Sequence, residues 1–170
     1  IIIGDEILSG RTKDTNINWI ANELNQMGIN LKEARVIEDD KKTIINTVLE
    51  FSKKFTYVFT SGGIGPTHDD ITTESIAAAF KVDLEKNKIA MNLLKKHYEK
   101  SNIDFNEARQ KMAIIPKGAS LIDNPVSVAP GFNIKNVYVF AGIPKIMQSM
   151  FQSISNKLKG GVIIKSKTIT

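Results

Sequence analysis

The sequence predicts an α/β fold: a mostly parallel sheet covered by helices on both faces, with a late antiparallel hairpin. Three observations carry this. Short apolar runs alternate with amphipathic stretches along the chain. Those stretches repeat at the helical period, as in Ile17, Ile20, Ala21, Leu24 and Met27. Near the end, residues 131–134 and 137–141 flank Lys135-Asn136 in the pattern of a tight hairpin.

Taken in order, Ile1-Ile2-Ile3 is the first strand, and a glycine-containing turn follows it. Asp14, Thr15 or Asn16 can cap the first helix, and Gly28 stops it. Residues 31–37 read as a second strand. Ile44, Ile45, Val48, Leu49 and Phe55 mark a second helix face, and Tyr57-Val58-Phe59-Thr60 reads as a buried third strand. Ile76, Ala79 and Phe80 line a third helix over residues 71–80. Ile89, Leu93, Leu94, His97 and Tyr98 give a fourth, and residues 105–112 a short fifth. Ala113-Ile114-Ile115-Pro116 breaks the pattern. Pro144 opens the last helix, where its missing N–H costs little, and Met147, Met150, Phe151, Ile154 and Leu158 form its apolar face. The two methionines there read as core packing. The chain opens inside a strand without a methionine and closes on Val162-Ile163-Ile164, which looks like a further extended segment. The expectation is therefore one domain, residues 1–170, cut at both ends and open to a second domain.

Composition narrows the function. The apolar and charged fractions, 42% and 24%, are those of an ordinary soluble globular domain, and no apolar run approaches a membrane span. No signal peptide is visible. With no cysteine, disulfides and thiolate metal sites are excluded, which fits a reducing, cytoplasmic setting. The net charge of +5 goes with lysines that cluster no further than pairs, such as Lys41-Lys42, with no basic stripe interleaved with aromatics, so nucleic acid is not the expected partner. A mild positive balance suits a small anionic ligand.

The chemistry concentrates in Ser61-Gly62-Gly63-Ile64-Gly65-Pro66-Thr67-His68-Asp69-Asp70-Ile71-Thr72, between a strand and a helix. Glycines let the backbone bend and approach a ligand, and amides at the start of a helix attract anions. Neither common nucleotide signature fits. A dinucleotide fingerprint needs glycine at His68, and a P-loop needs Lys-Ser/Thr where Pro66-Thr67 stands. A tight turn without a ligand is the plain alternative. Asp70 reads equally as the N-cap of the following helix or as a site residue. His68 reads as an exposed loop residue. The loops 4–15 and 61–70 both follow strand ends and are expected side by side at a switch in strand order. Asp5 and Glu6 could then join Asp69 and Asp70 in holding Mg²⁺ or another divalent cation between carboxylates and phosphate.

Gly4-Asp5-Glu6-Ile7-Leu8-Ser9-Gly10, Asp14-Thr15-Asn16 and the GGxGPTxDD stretch from Gly62 to Asp70 resemble the molybdopterin-binding (MoaB/MogA-like) superfamily. Within it the sequence is most similar to the CinA-type (competence/damage-inducible protein A) N-terminal domain, and also to that of eukaryotic FAD synthases. Asn124-Pro125-Val126-Ser127-Val128-Ala129-Pro130-Gly131-Phe132 resembles the family's NPxGxAPGF segment. Phe140-Ala141-Gly142-Ile143-Pro144-Lys145-Ile146-Met147 resembles its LPGxPxEM segment. Ser127, Ala141 and Ile146 depart from the family's glycine, proline and glutamate.

The resemblance implies a three-layer α/β sandwich and a dimer or trimer. It implies a site with Asp5, Asp69 and Asp70 as catalytic groups and Asp5, Glu6, Asp69 and Asp70 as metal ligands. The ligand would be held by Gly62, Gly63, Gly65, Thr67, Thr15, Asn16, Asn124, Gly142 and Pro144. Three functions follow as expectations. The first is metal-dependent pyrophosphate hydrolysis of ADP-ribose or FAD. The second is molybdopterin binding or adenylyl transfer in molybdenum-cofactor synthesis. The third is a non-catalytic nucleotide-binding module that assembles a larger protein.

Overall fold

The structure, a computed structural model, describes residues 1–161. The segment expected to be extended from Val162 onward lies outside them. Six strands form the main sheet: β1 (Ile2–Ile3), β2 (Val36–Ile37), β3 (Val58–Ser61), β6 (Ser120–Ile122), β7 (Gly131–Ile134) and β8 (Val137–Phe140). Their order across the sheet is β2-β1-β3-β8-β7-β6. A separate two-stranded sheet pairs β4 (Leu84–Lys86) with β5 (Ile114–Pro116). β1 is parallel to β2 and β3, and β3 is parallel to β8 in the register Val58↔Val137 to Ser61↔Phe140. β7 runs antiparallel to both β8 and β6. The late hairpin is thus present. Lys135 turns it at φ 53°, and the Asn136 amide side chain donates to the carbonyls of Ser52 and Phe55, tying the turn to a helix end.

The helices are α1 (Asp5–Leu8), α2 (Asn16–Gln26), α3 (Lys41–Lys54), α4 (Thr72–Phe80), α5 (Lys88–Lys100), α6 (Glu107–Gln110) and α7 (Pro144–Ser155). Alternation along the strands sorts them into two layers. Val58 and Val139 point into a core with Ile44, Val48 and Phe51 of α3 and Ile76 of α4. Their neighbours Phe59 and Phe140 point the other way, onto Leu24 of α2 and Met147, Met150, Phe151 and Ile154 of α7. This is the expected three-layer sandwich. The expected face of the last helix is buried throughout, and each large side chain there contributes about 2–3 kcal/mol by leaving water. No helix among the described residues is long and apolar enough to cross a membrane.

Several expectations are corrected. Only Val36–Ile37 of residues 31–37 pair as a strand. The first loop contains α1. Of the three expected cap candidates for α2, Asp14 is the one whose side chain serves, accepting from the amides of Asn16 and Ile17. Ile114–Pro116, read as a break, is β5, antiparallel to β4. All three β4 residues are exposed, so no alternation announced that strand. β6 has no signal of its own either. On α5 the buried residues are Ala90 and Leu94, while Ile89 and Leu93 are 64% and 43% exposed. The helix is rotated because a small third cluster, with Ala113 of a 3-10 turn (Lys111–Ala113), packs on the alanine side.

The fold brings the C-terminal ends of β2, β1, β3 and β8 to one edge. The chain runs from β1 outward to β2 and then back to β3 on the other side of β1. That is the switch in strand order at which open α/β sheets bind ligands.

Candidate functional site

Four loops leave this edge: residues 4–15 after β1, 38–40 after β2, 62–71 after β3 and 141–143 after β8. The two loops expected side by side are joined at the base. Asn16, 4% exposed at the start of α2, donates through Nδ2 to Ser61 Oγ (2.9 Å) and to the Gly142 carbonyl (2.8 Å). Ser61 Oγ donates on to the Ala141 carbonyl (3.1 Å). One amide therefore braces three loops. Its own Oδ1 is buried and without a partner among the described residues. Asn16→Ala would strand buried acceptors and is expected to cost about 2–3 kcal/mol, measured by urea unfolding.

The glycine loop is held by close approach. Gly62 sits at φ 115°, and a Cβ there would collide with the Ile3 carbonyl oxygen. A Cβ on Gly142 would lie 3.3 Å from Gly62 Cα, so the β8–α7 turn packs directly on this loop. Gly63 is also left-handed, at φ 69°, and lies over the buried Thr72 hydroxyl. The Gly63 carbonyl accepts from the Thr72 amide, which starts α4.

Asp70 does not cap that helix. Ile71 occupies the cap position with no side-chain bond. Asp70 Oδ2 turns back and accepts from Thr67 N (2.9 Å) and Thr67 Oγ1 (2.6 Å), while the Asp70 amide donates to the Thr67 carbonyl. The carboxylate lies against Gly65, where a Cβ would be 2.6 Å from Oδ2. The amides of Gly63, Ile64, Gly65, His68 and Asp69 have no protein acceptor among the described residues. A loop with its carboxylate turned inward and several amides free is a cradle for an anion.

Beside it lies a cleft of ≈ 360 Å³ lined by Asp5, Glu6, Arg11, Asp39, His68, Asp69 and Ile71. A larger cavity of ≈ 460 Å³ opens toward the N-terminal ends of the strands, among Leu31, Phe55 and Tyr57. Its walls are mainly aliphatic and aromatic, its Lys54 is paired with Glu33, and the acidic and glycine-loop residues lie elsewhere. The smaller cleft is therefore the candidate site.

In that cleft Asp5 and Asp39 are locked together. The Asp5 amide donates to Asp39 Oδ2 (2.9 Å), and the Asp39 amide donates to Asp5 Oδ1 (3.2 Å). Burial raises the pKa of Asp39. The Asp5 N–H opposes this, and the charges of Asp5, Glu6 and Asp70 add to the rise. A carboxyl raised by folding binds its proton more readily in the native state than in the unfolded chain. Its stabilising contribution is full below the unfolded value and is lost as pH climbs through the raised native one. Asp39→Asn, which keeps an acceptor for the Asp5 amide, should raise Tm at pH 7 and not at pH 3, as calorimetry would show.

Asp5, Glu6 and Asp69 line the cleft, and Asp70 shapes the loop next to it. The four do not form the expected metal cage. Among the described residues no three His, Cys, Asp or Glu side chains come together to hold an ion. Asp5 is engaged with Asp39, Asp70 with Thr67, and Asp69 with His68 Nε2 at 2.9 Å. The divalent-metal site is thus unsupported by the donor set: Asp5, Asp69 and Asp70 each give one oxygen to a neighbour, and the carboxylates do not converge. Asn124, expected to hold ligand, lies in the turn after β6. Its Nδ2 donates to Ser127 Oγ and the Ala129 carbonyl, and its Oδ1 accepts from Val126 N and Ser127 N, so the buried side chain shapes its own turn. Thr15 precedes α2, and its side chain caps nothing. Pro144 is the first residue of α7, beyond Gly142. Sequence reasoning missed Asp39 and Arg11. Asp39-Asp40 follows the end of β2 just as Asp5-Glu6 follows β1, and that repetition was the available signal.

Residues 1–160 match a family model described as "Probable molybdopterin binding domain". A protein of Sulfurisphaera tokodaii is 38% identical over 162 residues, covering 92% of this chain and 62% of its own length. One from Saccharolobus islandicus strain L.S.2.15 is 37% identical over 163 residues, covering 93% and 62%. The chain thus spans less than two thirds of these relatives. The solved structure of CinA from Thermoplasma acidophilum, a protein of unknown function, superposes with a TM-score of 0.84 at 34% identity, over 92% of this chain and 94% of that one. MoaB from Thermus thermophilus, a molybdopterin biosynthesis enzyme, superposes with a TM-score of 0.61 at 14% identity, over 92% and 87%. That second likeness is one of fold.

Proposed function

This chain belongs to the molybdopterin-binding domain family, in its CinA-like branch, and on that footing we propose that it binds a phosphorylated nucleotide at the 62–70 loop and hydrolyses its pyrophosphate, with ADP-ribose the first candidate. The observation carrying this reading is the set of free amides at Gly63, Ile64, Gly65, His68 and Asp69 in a loop that also lines an acidic cleft. Preorganised N–H groups stabilise charge that develops on phosphate oxygens as a bond breaks. Glu6, whose side chain folds back over Gly4, and Asp69 are the carboxylates placed to orient water and accept its proton. The water oxygen bonds to one phosphorus, the bridging P–O bond breaks, and the leaving phosphate takes the electron pair. The products are AMP and ribose phosphate. No step is assigned to a metal, because the carboxylates of this cleft do not converge on one. A homo-oligomeric, cytoplasmic form belongs to the same proposal.

The test is incubation with ADP-ribose and with FAD, each with and without divalent cation. AMP released by the native chain and abolished in the Glu6→Ala, Asp69→Ala double variant is the expected result. No AMP above that variant would overturn hydrolysis. A second reading, molybdopterin binding, is favoured by the description of the family model matched over residues 1–160. Calorimetric titration with molybdopterin decides it, and absence of binding at micromolar concentration counts against it.

A further inference from the structure

Lys111 stands outside the cleft, on the 3-10 turn that follows α6, yet it reaches the glycine loop. Its ammonium donates to the Thr67 carbonyl at 2.6 Å and to the Asp70 carbonyl at 2.8 Å. Its base is fixed: two residues on, Ala113 is fully buried against Ala90 and Leu94 of α5, and its carbonyl accepts from the Asn87 amide. Among the described residues Lys111 forms no ion pair, although the Asp70 carboxylate belongs to the same turn. A lysine ordered on two neutral carbonyls gives up rotamer freedom, so the contact persists only if the loop gains from it. The gain is conformational. The Thr67 carbonyl accepts from both Lys111 and the Asp70 amide, and Asp70 Oδ2 binds Thr67 in return. The turn is closed on both sides.

We propose that Lys111 is a positioning residue for the phosphate loop. Its ammonium holds the carbonyl oxygens of Thr67 and Asp70, so neither turns its partial negative charge on an incoming anion, and the amides of His68 and Asp69 are left to bind it. The small lobe built from α5, α6, β4 and β5 thereby sets the affinity of a cleft formed by the main sheet. For affinity this rests on the phosphate reading above; the loop conformation itself does not.

Two measurements on native, Lys111→Met and Lys111→Arg proteins test it. In ligand-free hydrogen exchange, Lys111→Met should speed the hydrogen-bonded amides of Thr67 and Asp70 by about tenfold, the scale of one lost charge-assisted hydrogen bond, while strands 58–61 and 137–140 keep their protection. Lys111→Arg, which also offers two N–H donors, should restore most of it. In calorimetric titration with ADP-ribose, Lys111→Met should weaken binding by about tenfold with Lys111→Arg close to native. Unchanged loop exchange in Lys111→Met overturns the proposal. So does a parallel rise in β3 and β8, which would make Lys111 a general stability residue. If the native chain binds no ADP-ribose, the phosphate reading fails, and the exchange result still decides whether Lys111 sets the loop.

Discussion

Gly62→Ala is expected to destabilise the protein by about 3–5 kcal/mol. Two penalties combine. The backbone at φ 115° suits only glycine, and the new Cβ would strike the Ile3 carbonyl oxygen. Relief by moving the loop is blocked, because the Gly62 amide donates to the Phe140 carbonyl at 3.1 Å and Gly142 packs on its Cα. Ends of β1, β3 and β8 therefore all press on one methylene. Gly10 gives the control. It is also left-handed, at φ 74°, but a Cβ there meets nothing, so Gly10→Ala should cost only about 1 kcal/mol. Urea unfolding of both variants measures the difference. A cost for Gly62→Ala no greater than that for Gly10→Ala would show that the three strand ends are not rigidly joined.

Asp70→Ala should weaken binding of a phosphorylated ligand by about tenfold to a hundredfold while leaving the fold intact, since the residue lies on an exposed loop. The route matters more than the size. If Asp70 acts by holding Thr67, then Thr67→Val, which removes the 2.6 Å bond from Oγ1 and keeps the backbone donor, should reproduce part of the loss. The double variant should then fall short of the sum. If Asp70 instead contacted the ligand or a cation, the two losses would add. Calorimetric titration of the four proteins in a double-mutant cycle separates these outcomes.

The parts of the fold legible in the sequence were those written in a local window. The α7 face at Met147, Met150, Phe151 and Ile154 repeats at the helical period and is buried, as is Leu158 just past the helix end. The 134–137 hairpin and the glycine loop are likewise announced by residues adjacent in the chain. β4, β5 and the rotated face of α5 were not, because β4 is exposed and shows no alternation, β5 is only three residues long and ends in proline, and a buried alanine carries little hydropathic signal.

In the site the division is sharper. The chain by itself determined which residue types crowd the strand ends: glycines at 62, 63 and 65, carboxylates at 5, 6, 69 and 70, and an amide at 16. Only the tertiary structure decided what each side chain does. Strand order sets Asp5 beside Asp39, Asn16 beside Gly142 and Lys111 beside Asp70, pairs separated by 34, 126 and 41 residues. A hydrogen bond is made to whatever acceptor lies within about 3 Å, and no local pattern encodes which distant backbone arrives there. That is why Asp70, which sequence reasoning gave to a helix cap or a metal, is claimed by Thr67, and why the four carboxylates line or shape one cleft without closing on an ion.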